Sequence, residues 1–146
     1  DNDYRAEGKR AARLTASLLR KTKMERQSLF FLYDYRDAPA LHRMNKKIQF
    51  MMRAYNREDV DGIFNQGIEV PVIHADAKFY SDSLMGVIRG KGIRLWMNAL
   101  GKYDTMEKTE INSGFDALLQ MRHTNIIQTD LYKELMDYLK VRGLHR

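Results

Sequence analysis

The chain has 146 residues, no cysteine and a net charge of +6 at neutral pH. This length predicts one domain, or one domain with an arm, and the missing thiols exclude disulfides, cysteine-ligated zinc and thiol catalysis. The sequence contains no apolar run of about 18 residues, so we expect no membrane span. It starts at Asp1 without an initiator methionine or a signal-peptide pattern, so we expect a processed or partial chain.

The positive charge is concentrated in the first part of the sequence. Residues 1–57 contain 14 Lys and Arg against 6 Asp and Glu, a balance of +8, whereas residues 58–146 contain 11 against 13, a balance of −2. A basic region joined to a nearly neutral one is typical of a polyanion-binding element attached to a packing element. We therefore predict a basic nucleic-acid-binding arm over 1–57 and a packing or assembly domain over 58–146.

Apolar residues at helical spacing predict a first helix from about Tyr4 to Tyr33, with a bend or break near Thr22. Its predicted apolar stripe consists of Ala11, Leu14, Leu18, Leu29, Leu32 and Tyr33. The opposite side is basic, with Arg5, Lys9, Arg13, Arg20 and Lys23, and Arg10 and Lys21 flank it. All seven residues are predicted to bind nucleic acid.

A second helix is predicted from about Ala40 to Arg57, after a break in which Asp37 is a candidate cap and Pro39 suits a first helical turn. Its predicted apolar face consists of Leu41, Met44, Ile48, Met51, Met52 and Tyr55. Its predicted nucleic-acid-binding face consists of Arg43, Lys46, Lys47, Arg53 and Arg57. The segment contains no acidic residue, so phosphate is a suitable counter-charge, although a solvated basic face is the alternative.

The remaining sequence predicts short helices. One is expected near Glu58–Asn65, followed by an extended stretch over 68–73 in which Pro71 argues against a central strand. Three or four helices after Asp76 would form a C-terminal bundle. The stretch GVIRGKG, residues 86–92, lacks the spacing of a phosphate-binding loop, so we favour a helix–turn–helix joint over a hairpin. There Gly86 and Gly90 would let another helix approach, with Lys91 as an optional phosphate contact.

No catalytic site can be assembled from the sequence. The four histidines, His42, His74, His123 and His145, are scattered without metal-like spacing, and a lone histidine is more often hydrogen-bonded or exposed than catalytic. We therefore predict no catalytic residue, no metal and no cofactor. The aromatic residues near the basic stripes are expected in the core or at subunit contacts, which favours sequence-independent binding to the nucleic-acid backbone by a non-enzymatic protein.

The layout of RAEGKRAARLTASLLRKTKMERQSLFFLY and ALHRMNKKIQFMMRAYNR, hinged at DAP and followed by a near-neutral helical region, resembles the major capsid proteins of filamentous archaeal viruses of the rudivirus and lipothrixvirus type. The resemblance implies an all-α fold with a basic N-terminal helix-turn-helix arm that wraps double-stranded DNA. It also implies a C-terminal bundle that forms the outer shell of a helical filament. The expected protein is thus a viral nucleoprotein of the virion that associates with itself or with a paralogous subunit.

Two alternatives remain open from the sequence. The first is a small helical accessory subunit of a nucleoprotein machine, such as a CRISPR small subunit or a phage replication or packaging factor, which would be cytoplasmic. The second is a protein-interaction module with an incidental basic surface. Long apolar stripes on both predicted arm helices favour assembly, because a monomer would leave them exposed.

Overall fold

Helices and strands alternate along the chain in the computed structural model, which describes residues 2–145 and the side chains of residue 8 and residues 10–145. The helices found in this part are α1 (Asn2–Thr22), α2 (Ala38–Met44), α3 (Arg57–Asn65), α4 (Asp82–Gly90), α5 (Lys102–Thr109), α6 (Ser113–Leu119) and α7 (Tyr132–Val141). The strands found there are β1 (Leu29–Leu32), β2 (Gln49–Ala54), β3 (Val72–Ala75), β4 (Arg94–Asn98) and β5 (Thr124–Gln128). The predicted all-α fold is therefore wrong.

The strands form one sheet in chain order, β1-β2-β3-β4-β5. Strands β1 and β2 pair in parallel, with Phe31 opposite Met51, and β4 and β5 also pair in parallel. Each parallel connection runs through at least one helix, as parallel pairing requires. Sequential order is typical of (β/α) barrels, whereas doubly wound sheets reverse their order at a switch point. The predicted helix-turn-helix arm and C-terminal helical bundle are both replaced by βα units.

The first predicted helix ends at Thr22, which confirms the predicted break there, but it does not resume towards Tyr33. Lys23 has a positive φ of 59°, which turns the chain, and the apolar run LFFL then forms β1. A short run of leucine and phenylalanine fits a helical face and a strand equally well by periodicity. Aromatic residues favour the pleated, half-buried surface of a strand, and that preference prevails here.

The second predicted helix is divided between α2 and β2. Pro39 lies in the first turn of α2, as predicted, but the helix ends at Met44. The following Asn45 turns the chain, because its side-chain oxygen accepts a hydrogen bond from the Lys47 amide at 3.1 Å. In β2 every second residue, Phe50, Met52 and Ala54, is fully buried. The apolar residues of this segment therefore match a helical spacing only by coincidence, since those in β2 alternate as in a strand.

Helix α3 agrees with the predicted short helix, and its first turn is capped by Asn56, whose side chain accepts from the Asp59 amide at 2.9 Å. Pro71 immediately precedes β3, all four residues of which are buried. Because Pro71 lies just before the strand, its missing N–H removes no hydrogen bond between β3 and its neighbours. The proline therefore limits where β3 begins but does not prevent the strand from forming. The expectation that Pro71 excludes a central strand is wrong.

The glycine-rich stretch forms a helix–turn–strand connection, which differs from both the favoured joint between helices and the hairpin. Gly90 ends α4, Gly92 adopts a φ of 78°, and β4 begins at Arg94. A Cβ atom at Gly90 would meet nothing within 4 Å, and one at Gly86 would lie 3.7 Å from the His123 ring, an ordinary contact. These glycines therefore do not admit a closely packed helix.

The chain divides into two compact units, Asp1–His74 and Ala75–Arg146. In the first unit, α3 packs on β2. The fully buried large side chains of this unit are Phe50, Met52, Val60, Ile63 and Ile73. In the second unit the fully buried large side chains are Met85, Ile88, Leu95, Met97, Phe115 and Leu118. The proposed division of function at residue 57 stays a prediction.

Candidate active site at the carboxyl ends of the strands

In parallel α/β folds, ligands bind at the carboxyl ends of the strands. In the first unit, Phe50, Met52 and Ala54 occupy the buried face of β2, so Met51 and Arg53 lie on its opposite face. The register places Phe31 beside Met51 and therefore on the same face as Arg53. Phe31, Met51 and Arg53 therefore share the face of the sheet opposite the fully buried residues of β2.

We define the edge cluster as Phe31, Tyr33, Arg53, Tyr55 and His74. The Phe31 ring lies 4.6 Å from the Tyr33 ring in an edge-to-face arrangement and 5.8 Å from the His74 ring, measured between centroids. The Arg53 guanidinium lies 4.5 Å from the centroid of Tyr55. His74 is only 6% exposed, whereas Tyr33 and Tyr55 are 67% and 47% exposed. The cluster thus combines a buried imidazole with a stacked guanidinium and two accessible phenols.

The residues that follow β2 hold the edge cluster in place. Asp59 accepts a hydrogen bond from the Tyr55 amide at 2.8 Å through its carboxylate, and its own amide donates to the Asn56 side chain at 2.9 Å. These two hydrogen bonds satisfy one amide at the exit of β2 and one in the first turn of α3, so they fix where β2 ends. Because Tyr55 is anchored through its backbone, the ring that Arg53 stacks on has a defined position.

The β4–β5 pair forms a separate polar face in the second unit. Leu95 and Met97 are buried on one side, while the indole N–H of Trp96 on the other side donates to the Gln128 side-chain oxygen at 3.3 Å. The Asn98 side chain accepts from the Leu100 amide at 2.7 Å, which fixes the turn after β4. These groups can bind a polar ligand, but they include no ionisable side chain.

Two buried carboxylates in the second unit have structural partners. Asp104 is 3% exposed and accepts from the Thr129 hydroxyl at 2.6 Å and from the Asp130 amide at 3.0 Å. Glu107 is 8% exposed and accepts from the Asn112 amide at 2.6 Å and from a second backbone amide at 3.2 Å. Both carboxylates therefore anchor turns.

Tyr138 on α7 is a titratable residue that lies away from the strand ends. Burial raises the pKa of Tyr138 to about 12, aided by the hydrogen bond that its hydroxyl donates to Asp116. Arg142 lies over the same ring, 3.7 Å from its centroid, and 3.1 Å from the Asp116 carboxylate. A cavity of about 490 Å³ adjoins these residues. It lies among helices rather than at strand ends, so we do not assign the active site there.

The residues predicted to bind nucleic acid do not form two continuous helical stripes. On α1 and in the turn after it, the predicted residues are exposed: Arg10, Arg13, Arg20, Lys21 and Lys23. Further along, the exposed ones are Arg43, Lys46, Lys47 and Arg57, whereas Arg53 is half-buried in β2. Arg5 and Lys9 lie outside the described side chains. The Arg20 guanidinium donates to the Met44 carbonyl, which connects the ends of α1 and α2. Nucleic-acid binding by these residues stays a prediction.

Sequence reasoning missed four of the five residues in the edge cluster as functional candidates. His74 was expected to be surface or hydrogen-bonded, and Tyr33 and Tyr55 were placed on helical stripes. The available signal was VIHAD, a short apolar run after Pro71 that ends in a histidine and an aspartate. Once such runs are recognised as strands, the polar residue at each carboxyl end becomes a candidate.

Among the described residues, no three His, Asp or Glu side chains are grouped so that they could hold a metal ion. None of the described helices combines the length and the apolar character needed to cross a membrane.

The fold and the edge cluster define an α/β protein of the parallel βα-repeat class. No family model and no curated protein matches the sequence. A solved structure of a glycerophosphoryl diester phosphodiesterase from Parabacteroides distasonis shares the fold, with a TM-score of 0.72 and 17% identity over 88% of this chain. The chain spans about half the length of that protein, 46%.

These findings correct the functional expectations from sequence. The resemblance to filamentous-virus capsid proteins is wrong. It implies an all-α fold, whereas this chain has an α/β fold that it shares with an enzyme. The coat function, the accessory-subunit alternative and the expectation of a non-enzymatic protein fail for the same reason. Localisation, a nucleic-acid partner and self-association stay predictions.

Proposed function

We propose that the chain is an enzyme domain that acts on phosphoric diesters, with the edge cluster as its substrate-binding and proton-transfer site. The fold shared with a glycerophosphoryl diester phosphodiesterase supports the reaction class. The observation that carries the proposal is the placement of Arg53 and His74 on one face of the sheet, towards the carboxyl ends of β2 and β3.

Arg53 is the proposed ligand of the phosphate oxygens. A guanidinium offers a planar fork of donors that matches two oxygens of a phosphodiester, and it remains charged at any working pH. Its stacking on Tyr55 at 4.5 Å limits its rotamers, so less conformational entropy is lost when a phosphate binds. The exposed Tyr33 and Tyr55 hydroxyls are further donors to the ester or its alcohol group.

His74 is the proposed general acid. Hydrolysis of a phosphodiester breaks one P–O ester bond while water adds to phosphorus, and the departing alkoxide oxygen needs a proton. A positioned imidazole can supply that proton and recover it from water, which typically contributes about 10²–10⁴ in rate. Contact with the Phe31 ring and an exposure of 6% keep this imidazole largely out of bulk water.

The test is a steady-state assay of a soluble glycerophosphodiester, in which released glycerol phosphate is measured. We expect Arg53→Lys to raise KM, because the charge remains but the donor fork is lost. We expect His74→Asn to lower kcat by about 10²-fold or more. Arg122→Gln, an exposed cation of the second unit with 81% side-chain exposure, is the matched control and should leave both constants unchanged.

Binding is measured separately by titrating labelled protein with glycerol 3-phosphate and recording the Arg53 Nε–H and His74 ring resonances. Selective shifts of these signals that disappear in the two variants are expected. Hydrolysis that is unchanged in both variants would place the site elsewhere. Absence of both hydrolysis and selective shifts would refute phosphodiester chemistry for this chain.

A further inference from the structure

Helix α1 has an apolar face that does not pack on its own unit. Ala12 and Ala16 are 9% and 3% exposed and form the inward side of the helix. Leu14 and Leu18 lie two positions further along, which places them on the opposite side, and they are 63% and 59% exposed. Their spacing of four residues puts both leucines on one line along the outside of the helix.

The surroundings of these leucines are cationic. Residues 8–24 contain no aspartate or glutamate, and the first carboxylate after them, Glu25, is buried. Arg10 and Lys21 lie close to the leucine line at helical spacing, and Arg13 and Lys23 are also exposed. The outer face therefore combines protruding apolar side chains with a net positive charge, because α1 contains six Lys and Arg against two carboxylates, Asp3 and Glu7, near its start.

We propose that the outer face of α1 binds the surface of an anionic lipid bilayer, with the helix lying in the plane of the membrane. Leu14 and Leu18 enter the boundary between headgroups and acyl chains, and Arg10 and Lys21, which lie beside them, contact lipid phosphates. This binding goes beyond the proposed hydrolysis and does not depend on it, because α1 contributes no residue to the edge cluster.

Two other occupants fit the observations less well. Nucleic acid would satisfy the cations but would leave the two leucines exposed to water. A second copy would need an apolar surface with acidic surroundings. The cavity of the second unit is lined by Glu107, Glu134 and Asp137, but Glu107 already accepts two backbone hydrogen bonds. Lys108 and Arg142 line the same cavity and oppose a basic helix. An anionic bilayer supplies both the apolar layer and an unbroken field of negative charge.

The test is co-sedimentation of the full chain with phosphatidylcholine vesicles and with mixed phosphatidylcholine–phosphatidylglycerol vesicles. We expect binding only to the mixed vesicles, weakened by added salt. Replacing one cation, as in Lys21→Gln, should weaken partitioning about fivefold. The double variant Leu14→Gln/Leu18→Gln should weaken it by about tenfold or more. The matched controls are Lys133→Gln and Ile111→Gln, exposed positions of the second unit that should bind as the unchanged chain does.

Circular dichroism of each variant establishes that the fold is retained, since both leucines are already largely exposed. Vesicle binding that needs the cations but not the leucines would overturn the proposal in favour of a general polyanion site, which duplex DNA would then also occupy. Loss of self-association in the leucine variant, without any vesicle binding by the unchanged chain, would overturn it in favour of a second copy.

Discussion

Gly114 lies where α5 and α6 cross, and an alanine there should destabilise the protein substantially. A Cβ atom at this position would lie far inside van der Waals contact of the Tyr103 carbonyl oxygen and 2.9 Å from the Glu107 amide nitrogen. Both obstacles are backbone atoms of α5, so no side-chain rotation can relieve the contact. The two helices would have to move apart by about 1 Å, a large displacement in a close-packed interior.

The expected cost follows from three contributions. Alanine is better than glycine in a helix by about 1 kcal/mol, which opposes the effect. Overpacking typically costs about 1–3 kcal/mol, and the cost is at the upper end or beyond when backbone must move. Separation of the helices also loosens the fully buried Phe115 and Leu118. We expect Gly114→Ala to lower the free energy of unfolding by about 3 kcal/mol, which lowers Tm by roughly 10 °C for a chain of this length.

Urea unfolding followed by circular dichroism measures this change, with two other glycines as comparisons. Gly90→Ala should be neutral or slightly stabilising, because its added methyl group meets nothing within 4 Å. Gly62→Ala should lie between the two, because the obstacle is the end of the Tyr35 side chain, which can move. Equal stability of the Gly114 and Gly90 variants would show that α5 and α6 do not cross as described.

Three further outcomes follow from the polar contacts. Asp104→Ala should lower the free energy of unfolding by about 3 kcal/mol, because the Thr129 hydroxyl and the Asp130 amide lose their buried acceptor. An unfolding curve equal to that of the unchanged chain would show that Asp104 does not stabilise this turn. Asn56→Ala should cost about 1 kcal/mol through loss of the α3 cap, with Asn56→Asp retaining most of the stability in the same denaturant series. The free energy of unfolding should fall between about pH 10 and 12, because unfolded Tyr138 loses its proton near the ordinary pKa of 10.0 and the folded one only at about 12. Tyr138→Phe should flatten that part of the stability profile, and a profile identical to the parent chain's would contradict the raised pKa.

Several features of the fold were readable from the sequence because each depends on a local signal. Pro39 in a first helical turn and the short helix near Glu58–Asn65 both follow from rules about a few neighbouring residues. The strands were missed because they have only four to six residues. Over so few positions the periods of helix and strand overlap, and the pairing that stabilises a strand comes from distant parts of the chain.

The apolar stripe of the first predicted helix shows the same limit. Leu14 and Leu18 are predicted on an apolar stripe that meets neighbouring subunits, and in this chain they are exposed while Ala12 and Ala16 form the buried side of the helix. Small residues allow α1 to pack closely on the rest of its unit. Close packing, rather than the hydrophobicity of the larger side chains, therefore decides which side of the helix is buried. A hydrophobic pattern therefore indicates that a face is apolar but not which surface covers it.

The candidate site was harder to predict from the sequence than the fold. Its prediction depends on whether the segment around Arg53 is assigned the period of a helix or that of a strand. In a helix, Arg53 would share a face with Arg57, four residues on; in a strand it shares a face with Met51 and Tyr55, two residues away. The strand arrangement puts Arg53 over Tyr55, while Arg57 pairs with Asp61 at 3.3 Å on α3. Phosphodiester binding that is reduced by Arg53→Gln and unaffected by Arg57→Gln is expected from the strand geometry. Equal losses from both variants would instead indicate a continuous basic helix, and the edge cluster would lose its basis.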